Sequence, residues 1–169
     1  GKPELKMRIG LSTGLAVVGN MGSRSRMDYT MMGDTVNTAA RLEGVNKAYG
    51  TYNLISESTC KAAALENVIT RETDSIYVVG RKMPLKIYEL IGHAENMVND
   101  KLSETLSNYA NGLTAYRNRD WKSAILFFSL ALETTPGDGP SQTMLARCKE
   151  FLKTPPPGNW DGSFMMKAK

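Results

Sequence analysis

The sequence predicts an α+β fold followed by a small α-helical unit, and three observations carry that prediction. Residues 76–79 and 85–91 are apolar-rich segments that face each other across the Gly80–Pro84 turn, as an antiparallel pair would. Residues 29–43 read as a short strand, a turn at Gly33 and Asp34, and then a helix. From His93 onward the composition changes, and apolar residues recur at helical spacing. Hairpins mixed with helices argue for an α+β arrangement rather than a parallel, doubly wound sheet.

Taken in order, residues 6–12 alternate into a strand through Met7, Ile9 and Leu11; Gly14 turns the chain and residues 15–18 return. Residues 23–28 read as a polar loop carrying Arg24 and Arg26. The helix after Asp34 is expected to stop at Gly50, with Gly44 as an earlier alternative. Leu54 and Ile55 begin the next strand, and Ser56 is placed to cap a short helix running to residue 65.

After residue 93, Leu106, Tyr109, Ala110, Leu113 and Tyr116 form one helical stripe, and Trp121, Ala124, Ile125, Phe128, Ala131 and Leu132 form a second, closed by Pro136. Gly112, Trp121, Ala124, Phe128, Ala131 and Pro136 fall at tetratricopeptide-repeat spacing. A third helix, residues 141–153, is expected to cover the open side of this pair. Three successive prolines, Pro155 to Pro157, force an extended tail over 154–169, with Trp160 folded back onto the domain. The expected units are therefore residues 1–92, 93–153 and 154–169.

Composition excludes several classes of function. Twenty-one basic against seventeen acidic residues is a mild, scattered excess, unlike a nucleic-acid-binding stripe. No apolar run reaches membrane-spanning length, so this stretch is expected to make no membrane contact. The two cysteines, Cys60 and Cys148, are far apart and suit buried thiols in a reducing cytoplasm. Gly14 and Gly19 have the separation of a phosphate-binding P-loop, but Asn20 and Met21 stand where its lysine and hydroxyl residue belong, so both glycines read as turn residues.

The chemistry concentrates in 29–43 (YTMMGDTVNTAARLE). Asp34 is a good N-cap. Asn37 and Arg41 lie four residues apart and project from one helical face, near the end where the dipole favours an anion. An amide and a guanidinium so placed can hold an oxyanion or a phosphate. Spacing alone favours the plainer alternative, a solvated polar pair beside the apolar face of Val36, Ala39 and Ala40.

This segment resembles the signature of the class III nucleotidyl cyclases, the adenylate and guanylate cyclases. Residues 7–23 (MRIGLSTGLAVVGNMGS) resemble that family's preceding hairpin, 52–58 (YNLISES) its following strand, and 79–90 (VGRKMPLKIYEL) its closing hairpin. The resemblance runs over residues 5–91 in the family's order. It implies the C-terminal part of a ferredoxin-like cyclase catalytic domain, followed by the tetratricopeptide-like unit and a tail of bacterial type.

The activity implied is formation of cyclic AMP and pyrophosphate from ATP, assisted by two Mg2+ or Mn2+ ions. By resemblance, Asn37 orients the ribose and Arg41 stabilises charge on the phosphates, both acting across a homodimer interface. Thr30 falls at the base-reading position and favours ATP, with Met31 and Val36 beside the nucleotide; guanylate cyclase is the alternative substrate reading. Arg81 and Lys82 are candidate phosphate contacts, because Val79 stands where the family usually has the triphosphate-binding lysine. Asp28 and Asp34 do not match the family's metal-binding aspartates, so the metal ligands are expected upstream and this stretch by itself is expected to be inactive. The setting implied is the cytosolic part of a membrane-anchored parent. A degenerate cyclase-like domain with a regulatory or dimerising role, or an interaction module built on the helical tail, are the competing readings.

Overall fold

The computed structural model describes residues 5–64, 67–78, 83–97 and 99–166. The chain runs β1 (Ile9–Leu11), β2 (Val17–Ser23), β3 (Arg26–Met32), α1 (Asp34–Tyr49), β4 (Asn53–Ser56), α2 (Glu57–Ala62), β5 (Val68–Tyr77), β6 (Leu85–His93), α3 (Ala94–Met97), α4 (Asp100–Arg117), α5 (Trp121–Thr134), α6 (Gly139–Lys153) and β7 (Phe164–Met165). Five strands form one sheet in the order β1-β4-β6-β5-β7, while β2 and β3 form a separate two-stranded ribbon. The fold is α+β, as expected.

Four local expectations need correction. Gly19 is not a turn residue: it lies within β2, opposite Thr30 of β3. The return strand after Gly14 does not pair with the strand before it: β1 lies parallel to β4, with Ile9 opposite Asn53, and β2 pairs antiparallel with β3. Residues 23–28 are not a loop, since Ser23 pairs with Arg26 and Met21 with Asp28 in the ribbon ladder. A two-residue turn suffices there, so the polar side chains are those of an exposed ribbon rather than of a loop. Asp34 is not the cap of α1 either. Gly33 occupies the N-cap without a side-chain cap bond, and Asp34 opens the first turn, where a carboxylate still complements the helix dipole.

The later elements follow the sequence reading closely. Ser56 caps α2, accepting from the Thr59 amide, although α2 ends at Ala62 rather than residue 65. Asn99, Asp120 and Asp138 cap α4, α5 and α6 by accepting from the amides of Leu102, Ser123 and Ser141. Gly50, with φ 65°, ends α1 in the left-handed conformation that glycine adopts without a Cβ clash.

One apolar core runs from the sheet into the helices, joining Leu42 and Tyr49 of α1 and Ile76 and Ile87 of the sheet to Tyr109, Phe128 and Met144 of the helical unit. Burying side chains of this size stabilises by about 1.5–3 kcal/mol each. The tail returns as expected: Trp160 packs on Tyr116, Trp121 and Phe151, with ring centroids 5.1–5.7 Å apart. Arg119 donates to the Pro157 carbonyl at 2.6 Å and holds the proline strap in place. β7 then joins the sheet beside β5, Phe164 opposite Ile76.

Two placements position the signature helix. A Cβ on Gly10 would stand 2.2 Å from the Ala39 carbonyl oxygen and 2.5 Å from the Glu43 nitrogen, so α1 lies against the β1 backbone at a distance only glycine permits. Asn46, fully buried, then ties α1 to that strand by donating to the Ile9 carbonyl at 2.9 Å.

Candidate active site

The first helical hydrogen bond of α1 runs from the Asn37 amide to the Gly33 carbonyl at 3.2 Å, leaving the amides of residues 34–36 ahead of the ladder. Asn37 projects into solvent from this first turn, and Arg41 stands half-buried one turn further on. Both line an open, mostly polar cleft of about 500 Å3 with Met31, Met32, Gly33 and Asp34. The cleft joins the end of the β2–β3 ribbon to the N-terminal half of the helix. A helix N-terminus, an amide and a guanidinium on one wall suit an anionic ligand.

Of the nucleotide-contact residues expected from the sequence, Met31 lies in this cleft with Asn37 and Arg41, whereas Thr30 and Val36 are not among its lining residues. Thr30 is exposed in β3 opposite Gly19; it shares the face of Met32 but lies two residues further from the start of α1, outside the cleft. Val36 is half-buried in the first turn of α1. Arg81 and Lys82, like Val79, lie outside the described residues.

A second polar cleft, of about 490 Å3, opens on the other side of Asp34, between the chain after β1, the start of α1 and the start of β6. Ser12, Thr13, Thr35, Ser58 and Lys86 line it, and Thr35 donates to the Ser12 hydroxyl at 3.1 Å. The Thr38 hydroxyl, buried at its wall, has no hydrogen-bond partner among the described residues. No sequence signal pointed to this cleft, because its walls come from four distant segments, residues 12–15, 34–38, 56–58 and 84–86.

Among the described residues, no three His, Cys, Asp or Glu side chains gather into a group able to hold a metal ion. No helix is long and apolar enough to cross a membrane, again among the described residues. The β2–β3 ribbon is exposed on both faces: Val17, Tyr29, Met31 and Met32 are all more than half exposed.

Comparison with known proteins gives a consistent picture. The family described as adenylate and guanylate cyclase catalytic domain matches residues 1–92. The chain is 33% identical over 149 residues to a terminal-differentiation-specific adenylate cyclase of Dictyostelium discoideum, a match covering 86% of this chain and 7% of that protein. It is 45% identical over 92 residues to adenylate cyclase 1 of Rhizobium meliloti (54% of this chain, 14% of that one) and 39% identical over 92 residues to an adenylate cyclase of Anabaena cylindrica (53% and 18%). The chain thus spans less than a fifth of the length of these relatives. Among solved structures it is similar to the adenylyl cyclase CyaB of P. aeruginosa, at 33% identity and a TM-score of 0.45, over 54% of this chain and 45% of that one.

Proposed function

The chain belongs to the adenylate and guanylate cyclase catalytic domain family, and on that premise we propose that it is part of an adenylate cyclase that converts ATP to cyclic AMP and pyrophosphate. The observation that carries this reading is the meeting of Asn37, Arg41 and the α1 N-terminus on one wall of a single cleft. In the reaction the ribose 3′-oxygen attacks the α-phosphorus and pyrophosphate leaves. Asn37 orients the ribose, and Arg41 stabilises the negative charge that grows on the phosphate oxygens. Positioning and charge stabilisation supply most of the catalysis of such transfers.

The proposal extends to a homodimer in which these two residues act on a nucleotide held with the partner subunit, and to Thr30 as the reader of the adenine edge. The exposed apolar ribbon of β2 and β3 supports pairing, since such surfaces mark interaction sites. Two divalent cations, Mg2+ or Mn2+, are part of the proposal. The described residues do not by themselves fit such a pair, and the stretch alone is proposed to be inactive. Residues 93–153 are proposed as a tetratricopeptide-like unit, and the whole protein as a membrane-anchored cyclase with this part in the cytosol.

The test is cyclic-nucleotide formation from ATP and from GTP with manganese, in the full-length protein and its Asn37→Ala and Arg41→Ala variants. Product from ATP that falls roughly 100-fold or more in both variants supports the assignment. No product from a folded, dimeric full-length protein sinks it in favour of a regulatory cyclase-like domain, and preference for GTP replaces the substrate.

A further inference from the structure

At the end of α1 remote from the candidate active site, three polar side chains are buried together. The Tyr49 hydroxyl, from α1, donates to Asp74 of β5 at 2.5 Å. Arg147, from α6, donates to the same carboxylate oxygen at 2.5 Å and to the Tyr49 oxygen at 3.1 Å. Asp74 is completely inaccessible and Arg147 only 6% exposed. The Ser75 amide donates to the other Asp74 oxygen at 2.7 Å, and the Phe164 ring lies 3.6 Å from the centre of the guanidinium. Asp74 reaches this place because β5 bulges between Glu72 and Asp74, which re-aims the side chains that follow. The cluster therefore joins α1, β5, α6 and β7 at one point.

Such a group is a poor device for stability alone. Taking an ion pair out of water costs about as much as the pairing returns, and apolar replacements of similar volume often do as well. What the guanidinium fork supplies is direction: it reaches acceptors on three elements at fixed angles, Asp74 of β5, Tyr49 of α1 and the Tyr116 hydroxyl of α4 at 3.4 Å, as a lysine or an apolar side chain cannot. α6 grips the same end of α1 in two further ways. A Cβ on Gly139 would stand 2.4 Å from the Tyr49 carbonyl oxygen, and the Thr143 hydroxyl donates to the Ala48 carbonyl at 3.0 Å.

We propose that Arg147 is a positioning residue for α1: by holding Tyr49 and Asp74 together it sets the angle of the helix, and hence the placement of Asn37 and Arg41 at its other end. The inference rests on the cyclase reading above for its catalytic consequence, but not for its structural one. α1 is one uninterrupted helix, so Asn37 lies about 18 Å along the axis from Tyr49. A tilt of about 3° at the Tyr49 end therefore moves Asn37 by about 1 Å, a displacement that can cost about 100-fold in rate. The helical unit after residue 93 is in this way part of the active-site scaffold. The similarity to the Dictyostelium protein, too long to fit within residues 1–92, is consistent with the two parts belonging together.

The test uses the full-length protein, an apolar replacement of the whole cluster (Tyr49→Phe, Asp74→Leu and Arg147→Met together) and the conservative Arg147→Lys. Thermal midpoint, kcat, KM and amide hydrogen exchange of residues 37–41 are read for each. In the apolar replacement the thermal midpoint is expected to hold, KM to change less than about twofold and kcat to fall about 10- to 100-fold, the pattern of a lost transition-state interaction. Exchange at 37–41 is expected to rise about tenfold as the helix loosens. Arg147→Lys is expected to lie between the two on kcat and exchange, and it decides the matter if the triple replacement does not fold. A folded variant with unchanged kcat and unchanged exchange overturns the proposal. If the unaltered protein makes no cyclic nucleotide, the cyclase reading fails, while the exchange measurement still decides for or against Arg147 as the positioning group.

Discussion

The buried Asn46 side chain holds the Ile9 carbonyl of β1 at 2.9 Å while also donating to Leu42, one turn back on its own helix, at the same distance. Its oxygen accepts from the Thr51 hydroxyl at 2.8 Å, so one amide joins the signature helix, the edge strand and the turn after the helix. Asn46→Ala leaves the Ile9 carbonyl without this side-chain donor and the Thr51 hydroxyl without its acceptor, and is expected to destabilise by about 2 kcal/mol. Urea unfolding measures this, and a loss within about 0.5 kcal/mol, the range of an ordinary surface change, would remove Asn46 from the list of groups that hold α1.

Two glycines near α1 are expected to respond to alanine with opposite signs. At Gly10 a methyl group meets the helix backbone at 2.2 Å, which cannot be relieved by turning a side chain, so Gly10→Ala is expected to cost 3 kcal/mol or more, on the order of severe overpacking. At Gly44, inside the helix, nothing lies within 4 Å of the added carbon, and Gly44→Ala is expected to stabilise by about 0.5–1 kcal/mol through helix propensity. Thermal unfolding of the two variants side by side checks the pair; a stabilising Gly10→Ala contradicts the close approach of β1 to α1.

The two cysteines are expected to separate in reactivity. Cys148 is fully buried in α6, and burial pushes its thiol up to about 12 from an ordinary 9.0. A thiol whose pKa is raised by folding favours the folded state below its ordinary pKa and loses that contribution as pH climbs toward the raised value. Burial likewise raises the Tyr49 and Tyr109 hydroxyls well above 10. Stability is therefore expected to decline from about pH 9 upward, and at neutral pH a thiol reagent is expected to modify the half-buried Cys60 first. Equal labelling rates for both cysteines in the folded protein would show that α6 does not bury Cys148 against the core as described.

Trp160 is expected to anchor the tail rather than recruit a partner. Its indole N–H donates to the Ser163 carbonyl at 2.8 Å, and its ring meets three other aromatic rings. Trp160→Ala is expected to cost roughly 2 kcal/mol from lost ring contacts and partial burial and to expose the strap at residues 155–158 to proteases. Limited proteolysis reads this directly, and an unchanged cleavage pattern would sever the strap from the ring cluster.

Much of this protein could be read from local sequence because the relevant signals are local. The turn at Gly33, the 3.6-residue spacing that puts Asn37 and Arg41 on one face, and the apolar stripes of α4 and α5 all act within a few residues. The family signature falls in the same short segment, so the candidate residues are legible without their cleft. What depended on partners distant in the chain stayed hidden. Strand β1 took Asn53 to Ile55 as its neighbours rather than the segment after Gly14, because a β-strand carries no local record of which edge it will join. Thr30 stands outside the cleft that Met31, Met32 and α1 form, a placement set by where the ribbon meets the helix. Tyr49, Asp74 and Arg147 lie 25 and 73 residues apart and carry no common spacing. Sequence by itself determined the helices, the turns and the two side chains of the signature; only the tertiary structure, by burying charges that must find one another, decided what holds that helix in place.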